Sequence, residues 1–193
     1  TGAVVLGTGA AGARAQGAAN NRIAIGLIGV GGRAGALMTQ IKELAPAQNV
    51  RITAICDVWQ KNLRAAAAKI KGWFGEEPRT FTRYGDLLAL RDIDAVVIVT
   101  PDFSHGPILV AALGANKDVY IEKPMTIELR HANQALDLAR AKNRVVQVGT
   151  QYRSDPKYLG ATQVVASGAL GTLSRISVEM NFHQARWARD VSD

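Results

Sequence analysis

A chain of 193 residues, 48% of them hydrophobic, is long enough for one full domain core and part of a second. Its 23 Lys and Arg against 16 Asp and Glu leave a net charge of +7, but the basic residues are scattered and not interleaved with aromatics, which argues against a nucleic-acid surface. The single cysteine, Cys56, excludes an intrachain disulfide and a cysteine-built metal site, and no metal site is read elsewhere.

The chain starts at Thr1, and residues 2–13 are uncharged and rich in Ala, Gly, Val and Leu. Ala13-Arg14-Ala15 is a small-x-small pattern followed by a polar stretch to Arg22. Residues 1–22 therefore read as the remnant of an export signal and a linker, which points to a periplasmic protein maturing near Gln16. A flexible Gly/Ala tail on a cytoplasmic protein is the alternative. The stretch is too short to span a membrane.

From Ile23 the pattern alternates strand and helix, the mark of an α/β fold with a parallel sheet. Residues 23–28 are a first strand. Ala34, Leu37, Met38, Ile41 and Leu44 then recur at helical spacing, and Pro46 is expected to end that helix. Residues 50–56 are a second strand, and Leu63, Ala66, Ala67 and Ile70 mark a second helix. The basic group across residues 61–83 reads as a solvated face, since it also contains Glu76 and Glu77. Residues 72–78 read as a loop, 80–84 as a short third strand and 85–91 as a short helix. The apolar run 95–99 reads as a strand covered on both faces. Ser104 is expected to cap the next helix, with Pro107 in its first turn. Residues 119–121 and 145–148 are the fifth and sixth strands. Between them Leu129, Ala132, Leu136 and Ala139 form a helical stripe. Past Gly149 the pattern changes: 156–167 looks helical, Gly168 looks like its stop, and 173–182 alternates like one strand of another sheet. The expected domains are 23–152, with sheet order 3-2-1-4-5-6, and 153–193, the beginning of a second α+β domain.

The chemistry sits at the strand ends. Gly29-x-Gly31-x-x-Ala34 has the dinucleotide-binding spacing, after a strand and before a helix. Gly29 permits the turn, Gly31 lets a pyrophosphate approach the backbone, and Ala34 lets the helix pack closely. Val30, Gly32 and Arg33 complete that loop, whose N–H groups and helix dipole would hold phosphates. Asp57, ending the second strand, is placed to accept hydrogen bonds from an adenosine ribose. Its charge favours NAD over NADP, although the guanidinium of Arg33 could welcome a 2′-phosphate. Thr100-Pro101, Glu122-Lys123-Pro124 and the segment holding Gln151 and Arg153 also follow strands, where open α/β sheets bind ligands.

These motifs, residues 29–35, 56–58, 94–102, 118–125 and 145–156, resemble the glucose–fructose oxidoreductase, inositol dehydrogenase and rhizopine-catabolism family (Gfo/Idh/MocA). Glu122-Lys123-Pro124 is its most specific signature, and the likeness runs from Ile23 to about Ser177. The resemblance implies a Rossmann domain in which Gly29, Gly31 and Ala34 hold the pyrophosphate and Asp57 the adenosine ribose. It further implies that Thr100 and Pro101 border the dinucleotide, Glu122 holds the nicotinamide ribose and Gln151 lies near the nicotinamide. Lys123 would be the catalytic residue, its ammonium stabilising a substrate alkoxide or assisting proton transfer once burial and the positive nicotinamide lower its pKa. Likeness to exported members supports the signal, and family members commonly self-associate through the second domain.

The implied activity is hydride transfer between NAD and a sugar or polyol. Two other readings stay open: an NAD-dependent glycosidase on the same scaffold, and a catalytically silent NAD-binding module. The family's further Asp/His pair has no match after Lys123. His105, at the start of a helix, and His183, at the end of the alternating run, are candidates with Arg153 for substrate contact. His131 is read as a surface residue.

Overall fold

The computed structural model describes residues 22–179. They fall into two compact units, one ending at Gly149 and the other beginning at Thr150. The division follows the last strand of the sheet directly, slightly ahead of the expected 152/153. The proposed signal at 1–15 and His183 lie outside the described residues.

The first unit has the elements β1 (Ile23–Ile28), α1 (Gly32–Gln48), β2 (Val50–Cys56), α2 (Gln60–Phe74), β3 (Arg79–Phe81), α3 (Tyr84–Leu88), β4 (Ala95–Ile98), α4 (Asp102–Gly114), β5 (Asp118–Glu122), α5 (Leu129–Ala141) and β6 (Val146–Gly149). The strands form one parallel sheet in the order β3-β2-β1-β4-β5-β6. This is the expected doubly wound order, with the topological switch between β1 and β4.

Period-two side-chain alternation explains the two cores, reset once in β2 where a bulge leaves Thr53 without a partner in β1 and turns Ile52 and Ile55 to the same face. On one face Leu27, Ile52, Ile55 and Val97 pack with Ala34, Leu37 and Met38 of α1 and Leu63, Ala66, Ala67 and Ile70 of α2. On the other, Ile28, Val96, Ile98, Val119 and Ile121 pack with Leu87 of α3, Ile108, Leu109, Ala112 and Leu113 of α4 and Ala135 of α5. Strands covered on both faces read as unbroken apolar runs, as 95–99 does.

Four local expectations are corrected. Pro46 does not end α1, which runs on to Gln48 and stops at the left-handed Asn49 (φ 49°). So close to the end of the helix, the missing proline N–H costs only one late hydrogen bond. Ser104 is not the cap of α4, which begins a full turn's reach earlier with Pro101 as N-cap. The Ser104 hydroxyl folds back within that first turn to Pro101 O and Thr100 Oγ1, both 2.8 Å away. The inward face of α5 is also rotated: Ala135 is buried, with Leu138 and Ala139 packed beside it, while Leu129 and Leu136 are exposed. Small residues face α4 because the two helices approach closely there. Finally, residues 173–179 form no strand. A strand needs a neighbour for its N–H and C=O groups, and no partner strand lies among the described residues.

In the second unit a short 3-10 helix, Gln151–Ser154, leads into α6 (Pro156–Ala166). Asp155 caps α6 by accepting from Lys157 N, and Pro156 occupies its first position. Gly168 follows with φ +75°, the expected stop. No described helix is long and apolar enough to cross a membrane.

Lys117, ahead of β5, is buried at 5% exposure and donates to the carbonyls of Leu90 (2.6 Å) and Ile93 (2.8 Å). It stitches the α3–β4 connection to the start of β5. Lys117→Met should strand both carbonyls and lower stability by roughly 2–3 kcal/mol, read as a fall in the urea midpoint. An unchanged midpoint would show that water replaces the ammonium.

Candidate functional site

Gly29 ends β1 at φ +85°, and its N–H donates to Cys56 O of β2 at 2.8 Å. A Cβ there would lie 2.7 Å from Val99 O and 2.9 Å from Thr100 N, inside the backbone leaving β4. Only glycine suits the backbone angle and the space. Gly31 and Gly32 differ. A Cβ on Gly31 would meet only the Asn62 amide at 3.4 Å, and one on Gly32 nothing within 4 Å. The fold leaves both positions open, so the bare backbone faces free space at the start of α1. No side chain caps that helix and its first turn holds no acid, leaving the leading N–H groups to an outside acceptor. Val30 and Ala34 are buried and fix the loop to the core.

Asp57 follows β2 and braces the glycine turn. Its Oδ2 accepts from Val30 N at 2.9 Å and Asn62 Nδ2 at 3.2 Å, and its Oδ1 from Trp59 N at 2.9 Å. A carboxylate offers about four acceptor positions, so Oδ1 keeps one for a further donor. Asn62 was not predicted; its place in the first turn of α2, shortly after Asp57, is the signal that would have found it. The neighbouring Cys56 thiol is pushed up to about 11 by burial, with the charges of Asp57 and Asp86 adding to it, so it is an un-ionised core residue as expected.

Arg33 extends from α1 to the end of β5 rather than toward Asp57. Its Nε and Nη2 both lie 2.7 Å from Glu122 Oε1. The Glu122 side chain is 6% exposed, and its other oxygen accepts from Lys123 N at 3.1 Å. Two strand positions before Glu122, on the same sheet face, Tyr120 places its hydroxyl where a Cβ on Gly149 would be, 2.5 Å away. Burial pushes the Tyr120 hydroxyl up, the Glu122 charge adds to this, and Arg33 opposes it. Tyr120 was also missed; period two from Glu122 would have marked it.

Lys123 is exposed, and its ammonium has no hydrogen bond or ion pair among the described residues. The burial expected around it is absent from this unit. Thr100 is half-buried, Pro101 is exposed at the β4 edge, and Lys123-Pro124 is a cis peptide. His105 is 1% exposed, and both its ring nitrogens lie against main-chain carbonyls, so no ring atom is free for substrate. His131 is half-buried rather than on the surface. Gln151 and Arg153 lie exposed in the second unit. No described group of three or more His, Cys, Asp or Glu could hold a metal.

Residues 23–150 match the family model described as the GFO_IDH_MocA oxidoreductase family, NAD-binding Rossmann fold. This chain belongs to that family. As a Gfo/Idh/MocA member it is an NAD-binding Rossmann domain, and the open backbone at Gly31 and Gly32 fits a bound pyrophosphate. Inositol 2-dehydrogenase of Salmonella paratyphi B is 32% identical over 124 residues, 63% of this chain and 35% of that protein. A glycosyl hydrolase family 109 protein of Shewanella sp. is 28% identical over 171 residues, 86% of this chain and 36% of that protein. The crystal structure of scyllo-inositol dehydrogenase from Lactobacillus casei, with NAD(H) and scyllo-inositol bound, superimposes with a TM-score of 0.69. It is 28% identical and covers 78% of this chain and 42% of its own. The matched part of the chain thus spans well under half the length of these family relatives.

Proposed function

We propose that this chain is the NAD-binding part of an oxidoreductase that moves a hydride between NAD and a hydroxyl or carbonyl of a polyol or sugar. The observation that carries this is the convergence of the glycine turn and Glu122-Lys123-Pro124 at one sheet edge, bridged by Arg33 on Glu122. In this reading the α1 N-terminus and the Gly29–Ala34 loop hold the pyrophosphate, and the spare position on Asp57 Oδ1 takes an adenosine ribose hydroxyl. Thr100 and Pro101 line the edge. Glu122 accepts from the nicotinamide ribose, sharing its carboxylate with Arg33. Lys123 directs its unpartnered ammonium at the reacting substrate oxygen, stabilises the alkoxide and exchanges the proton. The nicotinamide supplies the hydride acceptor or donor. Gln151, by the family likeness, would lie near the nicotinamide, and Arg153 and His183 are candidates for substrate contact. Export and self-association of the full-length protein belong to the same proposal. They rest on the small-residue pattern at 13–15 and on the family likeness.

A second reading, an NAD-dependent glycosidase, is favoured by the Shewanella relative, whose match extends over 86% of this chain. One assay separates the readings: the full-length protein is incubated with NAD and either inositols or glycosides. Net NADH with an inositol is the expected result. Free sugar without net NADH would replace it with the glycosidase. Neither product, from a folded protein that binds NADH, would leave a silent module.

A further inference from the structure

The His105 ring is buried in the first turns of α4 with a carbonyl oxygen against each nitrogen. Nδ1 lies 2.6 Å from Pro124 O, and Nε2 lies 2.7 Å from Thr100 O. Carbonyls only accept. A neutral imidazole has one N–H, so it would satisfy one carbonyl and turn a bare lone pair on the other. Only a ring with hydrogen on both nitrogens makes both contacts favourable.

The two carbonyls belong to different parts of the site edge. Thr100 follows β4, where Gly29 packs. Pro124 follows Lys123 at the end of β5. We propose that His105 is the positioning residue for Lys123: it donates both ring N–H groups and so fixes the Lys123-Pro124 segment to the β4 edge.

Three further contacts support a rigid bracket. Ser104 Oγ donates to Pro101 O and lies 2.8 Å from Thr100 Oγ1, steadying the first grip. Lys123 N donates to Glu122 Oε2 at 3.1 Å, so the residue is held from both sides. Next to the ring, a Cβ on Gly106 would lie 2.7 Å from Thr126 Oγ1 and 2.8 Å from His131 Nδ1, so α4 presses directly on the segment after Lys123. The charged and titratable groups on the surrounding elements are Asp102 in α4, Glu122, Lys123 and Glu128 from the β5–α5 segment, and Arg130, His131, Asp137 and Arg140 in α5. Glu122 is already paired with Arg33 and Glu128 with Arg130.

The inference rests on the proposed role of Lys123, but its first test does not. Imidazole proton–nitrogen NMR on this chain, labelled at histidine, should show His105 carrying slowly exchanging hydrogens on both nitrogens. One bare nitrogen would overturn the proposal. In the full-length protein, His105→Gln should lower kcat about tenfold or more while the KM for NAD moves by less than about threefold. The amide cannot span two carbonyls but keeps the edge polar. An unchanged kcat, or an equal loss in both constants, would overturn the positioning role. A wild-type protein without turnover would instead defeat the Lys123 reading, and the ring spectrum alone would then decide the clamp.

Discussion

Gly29→Ala should abolish NADH binding and destabilise the chain by roughly 2–5 kcal/mol. The added Cβ must enter the Val99–Thr100 backbone at 2.7–2.9 Å while holding φ at +85°. Main chain cannot step aside as a flexible side chain can. The β1–β4 edge would open at the point where the glycine turn is formed. Gly32→Ala is the matched control, because its Cβ meets nothing within 4 Å. It should leave the unfolding free energy within about 0.5 kcal/mol of wild type while weakening NADH, since it intrudes only on ligand space. A Gly29→Ala chain with the wild-type midpoint and affinity would contradict this account of the turn.

Lys123→Met in the full-length protein should lower turnover by about 10²–10⁴-fold, the range of a lost proton-transfer group. The fold should not suffer, because the side chain is exposed and its ammonium makes no described contact. NADH affinity should change little for the same reason. This separates it from Gly29→Ala, which removes binding and stability together. Steady-state rates with NADH titration on the same preparation check it. Turnover within about tenfold of wild type would remove Lys123 from the reaction.

The sheet was legible because both its faces are covered. Apolar runs such as Ala95–Ile98 and the stripe Leu63, Ala66, Ala67 and Ile70 have no soluble alternative to burial. Where burial was shared unevenly, the pattern misled. On α5 the expected stripe of Leu129, Ala132, Leu136 and Ala139 is right at Ala139, yet the packed face centres on Ala135 and takes Leu138 in place of Leu129 and Leu136. At Ser104 a good cap residue was preceded by Pro101, which begins the helix earlier. The strand expected over 173–182 had the right alternation but lacks a described partner, and alternation cannot supply one. In the site, Asp57 and Glu122 were readable from their places after β2 and at the end of β5. Their partners were not. Val30 N and Asp57, Arg33 and Glu122, and His105 with Thr100 and Pro124 are joined by the fold across distances that no local spacing encodes. The same contacts turn the reading of Arg33 away from a 2′-phosphate, since it is spent on Glu122 and not beside Asp57.

The most direct measurement is a titration of this chain with NADH and NADPH, followed by nicotinamide fluorescence, with circular dichroism confirming that the chain is folded. NADH should bind, and about tenfold or more tighter than NADPH, because a 2′-phosphate would meet the Asp57 carboxylate. Equal or tighter binding of NADPH, or no binding of either by the folded chain, would contradict the assignment of Asp57 and the glycine turn.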